Sequence, residues 1–266
     1  MIRAAVTGAS GRMGKLIISN IISLKEMELS AAFDLVNIGQ DAGEIAQVGH
    51  LGVPISDVKD MEKILKESYT DVLIDFTISD ATVVNAPRAA SAGVNLVIGT
   101  TGFSNEQRKI IEAAINEHGV AGIISPNFSI GVNVFFKIVA EASKYLEDFD
   151  IEIIEAHHNK KKDAPSGTAM KAADVISAVL GGKKYIFGRQ GLAPRSNEIG
   201  IHAVRGGDIV GDHTVLFAGD GERIEIKHQA HSRQAFASGA VKAAAWICNA
   251  KPGIYTMEDI LGLQLY

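Results

Sequence analysis

The sequence contains one cysteine, Cys248, among 266 residues. A single cysteine cannot form an intrachain disulfide, which agrees with a reducing compartment. Positive charge is not in excess either. The formal net charge is −5, so the chain lacks the cationic surface that DNA or RNA binding requires. We therefore expect no nucleic-acid partner.

Long apolar runs are also missing. No stretch approaches the roughly 20 residues that span a bilayer, and Met1-Ile2-Arg3 leads into a strand-like run without the apolar core of a signal peptide. With 47% hydrophobic and 21% charged residues, the composition is that of a soluble globular protein with ample material for a core. We expect a cytoplasmic protein without membrane contact.

A glycine-rich turn lies near the N-terminus. Ile2 to Val6 are apolar, as in a buried parallel strand, and Lys15 to Leu24 have helical spacing. Between them the sequence is T-G-A-S-G-R-M-G, a G-x-x-G-x-x-G variant of the dinucleotide fingerprint. Such glycines let backbone N–H groups approach a pyrophosphate. By themselves they also suit an ordinary turn.

Asp34 supplies a second signal for nucleotide binding. It ends the strand-like run Glu28 to Phe33, about 20 residues after Gly14, where an acidic side chain accepts hydrogen bonds from the adenosine ribose. A carboxylate repels a 2′-phosphate, and Leu35-Val36-Asn37 contain no cation, which favours NADH. Arg12 and Lys15 keep NADPH open as the alternative.

Strand-like and helix-like segments alternate as far as residue 128. Runs at 72–76, 96–98 and 122–124 are separated by helical patterns at 81–92 and 104–117. This order is typical of parallel βαβ units, which bind ligands at the carboxyl ends of their strands. The residues after the last two runs are either nicotinamide contacts or ordinary loop residues: Gly99, Thr100, Thr101, Asn127 and Phe128.

The pattern changes after Ser129. Helical patterns at 130–146 and 169–180 precede strand-like runs at 199–204, 208–210, 213–218 and 222–230, with a hairpin turn at Gly219-Asp220-Gly221. Ile224 and Ile226 alternate with charged residues, which predicts an open, mixed or antiparallel sheet with helices on one side. Further helical patterns at 236–249 and 257–263 are expected to return to the first domain.

We therefore predict an α/β protein of two domains. Residues 1–127 and 238–266 would form a Rossmann-like, parallel-sheet nucleotide domain. Residues 128–237 would form a smaller α+β, open-sheet domain for substrate binding and oligomerisation.

The stretch from Asp150 to Met170 carries most of the chemistry. A strand-like run leads to His157 and His158, and three lysines follow at Lys160, Lys161 and Lys162. Histidine exchanges protons near neutral pH, and mutual repulsion among clustered cations favours proton loss from one of them. The motif leaves open which lysine acts, or whether the lysines form only a solvated basic loop. Adjacent histidines without a cysteine cluster do not suit zinc, so we expect no metal.

A helix start follows these cations. Ser166-Gly167-Thr168 presents backbone N–H groups and two hydroxyls, which suits a carboxylate. The alternative is plain N-capping by Asp163 or Ser166.

Five motifs together resemble the 4-hydroxy-tetrahydrodipicolinate reductase (dihydrodipicolinate reductase) family of lysine and diaminopimelate biosynthesis. They are G-A-S-G-R-M-G, I-D-F-T, I-G-T-T-G-F, N-F-S-I-G-V-N and E-A-H-H-x-x-K-x-D-A-P-S-G-T-A. The resemblance runs in order from residue 2 to the final helix. It implies NAD(P)H-dependent reduction of a cyclic imine dicarboxylate with loss of water, in a homotetramer whose substrate-domain sheets associate.

The resemblance also implies roles for individual residues. His157 would donate and accept a proton, Lys161 would donate one, and His158, Gly167 and Thr168 would bind substrate. Leu35 departs from the arginine that many members have after the ribose acid, and Lys160 and Lys162 flank the matching lysine. The cofactor would be lined by Gly8, Ala9, Ser10, Gly11, Arg12, Met13, Asp34, Gly99, Thr100, Thr101, Ser125, Pro126, Asn127 and Phe128.

Two other functions fit a nucleotide fold. One is a different two-domain amino-acid dehydrogenase, which the fold alone permits but the His-His-Lys segment does not resemble. The other is a non-catalytic NAD(H)-sensing protein, which would not require Lys161.

Overall fold

The computed structural model describes residues 1–263, which form two compact units. The first unit holds Met1–Ser129 and Gln234–Gly262, and the second holds Ile130–Arg233. Strands and helices are numbered below in chain order through both units. Among the described residues, no helix combines the length and the apolar character that a membrane span requires.

The first unit is built on a seven-stranded parallel sheet in the order β12-β6-β5-β4-β1-β2-β3. Its strands are β1 (Ile2–Thr7), β2 (Met27–Phe33), β3 (Ile55–Ser56), β4 (Val72–Asp75), β5 (Asn95–Ile98), β6 (Ala121–Ile124) and β12 (Gly253–Tyr255). Its helices are α1 (Arg12–Ser23), α2 (Ala42–Ile45), α3 (Met61–Glu67), α4 (Ser79–Ser91), α5 (Asn105–His118), α8 (Gln234–Ile247) and α9 (Met257–Leu261), with a 3₁₀ turn at Val58–Asp60.

Helices cover both faces of this sheet. Val6 and Ile74 belong to a core cluster that includes residues of α1 and α8, whereas Ala5 and Leu73 belong to a second cluster with residues of α3, α4 and α5. Strands buried on both faces need no polar alternation, which is why β4 and β6 are fully buried runs. Parallel strands place their carboxyl ends, and the loops that follow them, along one edge of the sheet.

The second unit contains a five-stranded mixed sheet in the order β11-β10-β7-β9-β8. The β7 strand pairs parallel with β9 and antiparallel with β10. The strands are β7 (Asp150–His157), β8 (Lys184–Phe187), β9 (Glu198–Arg205), β10 (Gly211–Gly219) and β11 (Glu222–Ala230). The helices are α6 (Ile130–Ser143) and α7 (Gly167–Val179).

Both helices share a core with one face of this sheet. Ile151 and Ile153 of β7 are buried in a cluster with residues of α6 and α7, whereas Glu152 and Ile154 point to the opposite face. The predicted α/β class, with a parallel sheet and a second mixed sheet, is confirmed.

One predicted strand is wrong. Asp208 lies in a turn, Ile209 and Val210 have no regular secondary structure, and β10 begins only at Gly211. The chain leaves β9 at Arg205 and reverses through Gly206 and Gly207, where Gly207 has a φ of +51°. Because the Gly207 carbonyl accepts a hydrogen bond from Asn159 N–H at 3.2 Å, this loop is tied to the segment after β7 instead of to a strand.

Candidate active site

The glycine turn after β1 brings backbone into close contact. Gly8 has a φ of +69°, and a Cβ added at Gly14 would lie 2.7 Å from Ala9 Cα. Gly11 is the N-cap of α1, and within residues 1–263 no side chain caps this helix start. The N–H groups of the first turn are therefore left for an anion such as a pyrophosphate.

Asp34 follows β2 and is held against this turn. Its Oδ2 accepts a hydrogen bond from Ser10 N–H at 2.9 Å, and its Oδ1 accepts from Leu35 N–H at 2.7 Å and Val36 N–H at 3.3 Å. These bonds fix the direction of the carboxylate beside the glycine turn.

A cavity of about 440 Å³ opens next to Asp34 and Gly8. Its wall is mostly apolar and includes Arg88, which suits an adenine ring. The helix start, the acid and the cavity together fit a nicotinamide dinucleotide. The lining residues are Thr7, Gly8, Phe33, Asp34, Leu35, Val58, Thr77, Ile78, Asp80, Ala81, Val84, Asn85 and Arg88.

A buried carboxylate organises the carboxyl ends of β4 and β5. Asp75 is 2% exposed, and its Oδ1 accepts hydrogen bonds from the hydroxyls of Thr77, Thr82 and Thr100 at 2.8, 2.8 and 2.9 Å. The hydroxyl of Thr100 is thus turned inwards. Beside it, Gly99 packs on the Phe76 ring, while Thr101 is exposed.

The turn after β6 is held by its own hydrogen bonds. The Ser125 hydroxyl donates to the Asn127 carbonyl at 3.0 Å, and Asn127 Oδ1 accepts from Ser129 N–H at 2.9 Å. Pro126 is exposed. Phe128 is 1% exposed and packs against Phe76, with 5.6 Å between ring centroids. Any contact of Phe128 with a cofactor would therefore come from its backbone.

In the second unit, β7 ends at His157, which lies beside a buried carboxylate. Glu155 is fully buried, and its Oε2 is 2.7 Å from His157 Nδ1. Arg205 at the end of β9 donates to both oxygens of Glu155 at 2.8 Å, and Ser166 N–H donates to Oε1 at 2.9 Å. The paired strands β7 and β9 thus place a histidine, a carboxylate and a guanidinium together.

Burial and hydrogen bonding have opposite effects on the pKa values of His157 and Glu155. Burial lowers the pKa of His157, Glu155 raises it, and the cations of Lys161 and Arg205 lower it, with a net lowering. Burial raises the pKa of Glu155, but hydrogen bonds from Arg205, His157 and Ser166 N–H outweigh burial and the net pKa is lowered. Glu155 is therefore an ionised acceptor at neutral pH.

A second histidine lies next to His157. His213 on β10 is 4% exposed, and its ring meets that of His157 edge-on with 5.2 Å between centroids. Burial, and then the neighbouring His157, lower the pKa of His213 to about 4. His213 is thus neutral at physiological pH, with Nε2 3.0 Å from the Ser166 hydroxyl.

The three lysines differ in their surroundings. Lys161 is partly buried, and its ammonium group lies 2.9 Å from Asp163 Oδ1, whereas Lys160 and Lys162 are exposed. His158 precedes these lysines in the chain, and its Nδ1 is buried without a hydrogen-bond partner among the described residues.

Ser166 is the N-cap of α7. Its hydroxyl accepts a hydrogen bond from Ala169 N–H at 3.2 Å, so the cap is Ser166 and not Asp163. Gly167 and Thr168 begin the first turn of the helix, one and two residues after Ser166, whose N–H donates to the buried Glu155. Their position suits recognition of a carboxylate.

Two family models match the chain. The model for the N-terminus of dihydrodipicolinate reductase matches residues 2–128, and the model for its C-terminus matches residues 131–261. The chain belongs to the dihydrodipicolinate reductase family. The resemblance on which the sequence-based prediction depended is thereby confirmed.

Relatives of the same family cover the whole chain. The 4-hydroxy-tetrahydrodipicolinate reductase of Methanococcoides burtonii is 73% identical over 98% of this chain and 100% of its own length. The 4-hydroxy-tetrahydrodipicolinate reductase of Methanocaldococcus jannaschii is 54% identical over 99% and 98%. A solved structure, the dipicolinate-bound dihydrodipicolinate reductase of Paenisporosarcina sp. TG-14, is 29% identical, with a TM-score of 0.78 over 96% of this chain and 97% of that one.

Some residues at the candidate sites of the two units escaped the sequence-based prediction. Asp75 orders the β4 and β5 loops, and Arg88 lines the cavity. Glu155 contacts His157, and Arg205 holds Glu155. A signal existed for Asp75, because an acid at the carboxyl end of a parallel strand lies at the ligand edge of the sheet. For Arg205 no local pattern was available, since its partner lies 50 residues away in the sequence.

Proposed function

We propose that this reductase-family chain converts 4-hydroxy-tetrahydrodipicolinate into tetrahydrodipicolinate and water at the expense of NADH or NADPH. The reaction takes up one hydride and one proton and releases one water. Family membership and the names of relatives at 73% and 54% identity over nearly their full lengths support this proposal.

The observation that carries the proposal is the group of His157, Lys161 and the α7 start in one unit. The substrate has two carboxylates and needs a proton after the hydride arrives. Gly167 and Thr168 at a helix N-terminus, with His158, would bind carboxylate oxygens. The solved relative from Paenisporosarcina binds dipicolinate, itself a dicarboxylate, which agrees with this assignment.

The first unit would bind the cofactor. The pyrophosphate would lie against the N–H groups of the α1 start, at residues 8–13, and the ribose hydroxyls would donate to Asp34. Gly99, Thr100, Thr101 and Ser125–Phe128 would border the nicotinamide, partly through backbone. When bound, the nicotinamide supplies the hydride.

The residues of the second unit handle protons. Water would leave as the 4-hydroxyl together with a proton from C5, and hydride addition at C4 of the resulting conjugated imine would leave an enamine-type anion. Lys161 would give that anion its proton, and His157 would exchange protons with the reacting molecule. Lys160 and Lys162 are exposed and would contribute background charge.

We propose NADH as the preferred cofactor. Asp34 is held by three N–H donors, so its carboxylate stays where a 2′-phosphate would meet it. Leu35 is 76% exposed and provides no charge to offset that repulsion. Arg12, which is exposed, and Lys15 follow the same turn and are the cations that would offset the charge of a 2′-phosphate if the cofactor were NADPH.

We also propose a homotetramer in which the open face of the second sheet contacts another copy of the chain. Ile154 and Val204 are 43% and 48% exposed on neighbouring strands of this face. Exposed apolar residues on a sheet are typical of an interface. Sedimentation equilibrium would test this, and a monomer at micromolar concentration would contradict it.

The activity test is direct. Purified protein, NADH and freshly generated 4-hydroxy-tetrahydrodipicolinate are mixed, and absorbance at 340 nm is followed. Loss of NADH supports the proposal. NADH binding by calorimetry without turnover would favour the NAD(H)-sensing alternative. Activity confined to amino acids with NAD⁺ would favour a different dehydrogenase.

A further inference from the structure

Glu155 is a buried carboxylate with four hydrogen bonds and no exposed surface. Its Oε1 accepts from Ser166 N–H and Arg205, and its Oε2 accepts from Arg205 and faces His157 Nδ1 at 2.7 Å. A buried charge is tolerated only when it is paired and its lone pairs are satisfied. This carboxylate meets that condition through groups on β9, on α7 and at the end of its own strand.

Arg205 connects Glu155 with the lysine loop. Besides Glu155, its guanidinium donates to the Asp163 carbonyl at 2.6 Å. The Asp163 carboxylate in turn pairs with Lys161 at 2.9 Å. One guanidinium therefore positions both the partner of His157 and the backbone of the residue that holds Lys161. Arg205 can do so because its planar guanidinium points several N–H donors in fixed directions and thereby reaches two acceptors.

The hydrogen bond to Glu155 determines which imidazole nitrogen carries the proton. An ionised carboxylate accepts only, so the short contact requires hydrogen on His157 Nδ1. Nε2 then carries the lone pair in the neutral ring. A Cβ added at Gly211 would lie 3.0 Å from Nε2, so the glycine leaves room on that side of the ring.

The charged and titratable groups around His157 come from four segments. Glu155 shares its strand, Arg205 lies on β9, His213 lies on β10, and Lys161 follows β7. Of these, only Glu155 is anionic. His213 meets the ring edge-on, and in the described residues no hydrogen bond joins it to His157.

We infer that Glu155, held by Arg205, is a positioning residue that keeps the proton on His157 Nδ1 and makes Nε2 the atom that exchanges protons with the substrate. The second half of this inference rests on the proposed function. The tautomer does not, because it is a property of the protein without substrate.

The first experiment determines the tautomer of His157. Protein labelled with ¹⁵N at histidine is examined by long-range ¹H–¹⁵N correlation at pH 7.5, and His157→Asn assigns the signals. The wild type should show hydrogen on Nδ1 of His157. In Glu155→Gln this preference should weaken, because the amide offers both a donor and an acceptor.

Glu152→Gln is the matched control. Glu152 also bonds a histidine and an arginine, His202 and Arg189, but it lies on the opposite face of β7. It should leave the His157 signals unchanged.

Kinetics provide the second readout. Glu155→Gln should lower kcat by about 100-fold with a smaller change in KM, and should move the limb of the pH–rate profile that reports His157 to lower pH, because an anion that stabilises imidazolium is lost. Glu155→Asp, which keeps the charge, should retain that limb while losing part of kcat. Thermal melting and NADH binding show whether each variant is folded.

Three results would overturn the inference. They are a wild-type ring protonated on Nε2, an unchanged tautomer in folded Glu155→Gln, or a kcat of that variant within about twofold of wild type. If Glu155→Gln does not fold, the wild-type tautomer still decides the matter. A wild type that does not oxidise NADH with the imine substrate would overturn the proposed function, while the spectrum would still test the positioning role.

Discussion

The ammonium group of Lys161 lies 2.9 Å from the carboxylate of Asp163, and the two side chains differ in exposure, at 21% and 61%. The lysine is the more enclosed partner. The hydrogen bond from Lys161 lowers the pKa of Asp163 and keeps this acid ionised. Asp163 thus restrains the long, flexible side chain of Lys161. The side chains of Lys160 and Lys162 are exposed to solvent instead.

Replacement of Lys161 tests its assignment as proton donor. Lys161→Ala should lower kcat by about 100-fold and leave the Kd for NADH nearly unchanged, because the cofactor is assigned to other residues. Steady-state kinetics and calorimetry with NADH measure the two effects. Lys160→Ala is the matched control and should retain at least half of kcat. A greater loss with Lys160→Ala than with Lys161→Ala would move the assignment to the neighbouring residue.

Asp34 should control cofactor choice. Asp34→Ser removes the charge that repels a 2′-phosphate and keeps a small polar group beside Ser10. We expect the ratio of kcat/KM for NADPH to kcat/KM for NADH to rise by about tenfold, or about 1.4 kcal/mol. Glu26→Ser is the control, since Glu26 is exposed before the opposite end of β2. An unchanged ratio in Asp34→Ser would show that other residues select the cofactor.

Gly14 is required by the backbone contact at the α1 start. A Cβ at this position would collide with the Gly8 carbonyl and with Ala9 Cα. Gly14→Ala should therefore lower the free energy of unfolding by about 1–3 kcal/mol and weaken NADH binding, because the turn must open. Urea denaturation and NADH titration measure these changes. Ser23→Ala, at the exposed end of the same helix, should change stability by less than about 0.5 kcal/mol. Equal stability of the two variants would contradict the prediction.

His213 should make the protein less stable in mild acid. Its pKa is lowered from 6.5 to about 4 in the folded chain. Between these values the unfolded chain binds a proton that the folded chain does not, so stability is complete above about pH 6.5 and falls as the pH decreases towards 4. The difference corresponds to about 3 kcal/mol at most.

Urea denaturation at pH 7.5 and pH 4.5 would measure this contribution. His213→Gln should reduce the loss of stability between the two pH values, because the group that takes up the proton on unfolding is gone. His50→Gln, at a histidine whose side chain is 70% exposed, is the comparison variant. The same pH dependence in His213→Gln and wild type would refute the assignment.

Local patterns predicted much of the fold. β11 has the predicted bounds, because alternating side chains define it and Gly221, with a φ of +84°, marks the turn before it. The short strand β8 was missed, since four residues at a sheet edge have no clear periodicity. The strand expected at 208–210 failed because apolar content alone does not reveal whether a partner strand is present.

The candidate sites also contain features that the sequence could indicate and features that it could not. The glycine turn, Asp34 and the His157–Lys161 segment are contiguous motifs, so the sequence could indicate them. The contact between Glu155 and Arg205 joins residues 50 positions apart and depends on the parallel register of β7 and β9. Such a contact is a property of the assembled sheet, which no local pattern encodes.

The first unit consists of two segments separated by the whole second unit, and this arrangement affects folding during synthesis. β12 pairs with β6, and α8 shares a core with α1, yet both follow the whole second unit in the chain. A ribosome adding about 5–20 residues per second needs roughly ten seconds to proceed from Ser129 to Tyr255. During that interval the nascent sheet lacks its edge strand, and the apolar surface that α8 covers is open to solvent. A message truncated within this region should therefore yield an aggregation-prone fragment and not a smaller nucleotide-binding protein.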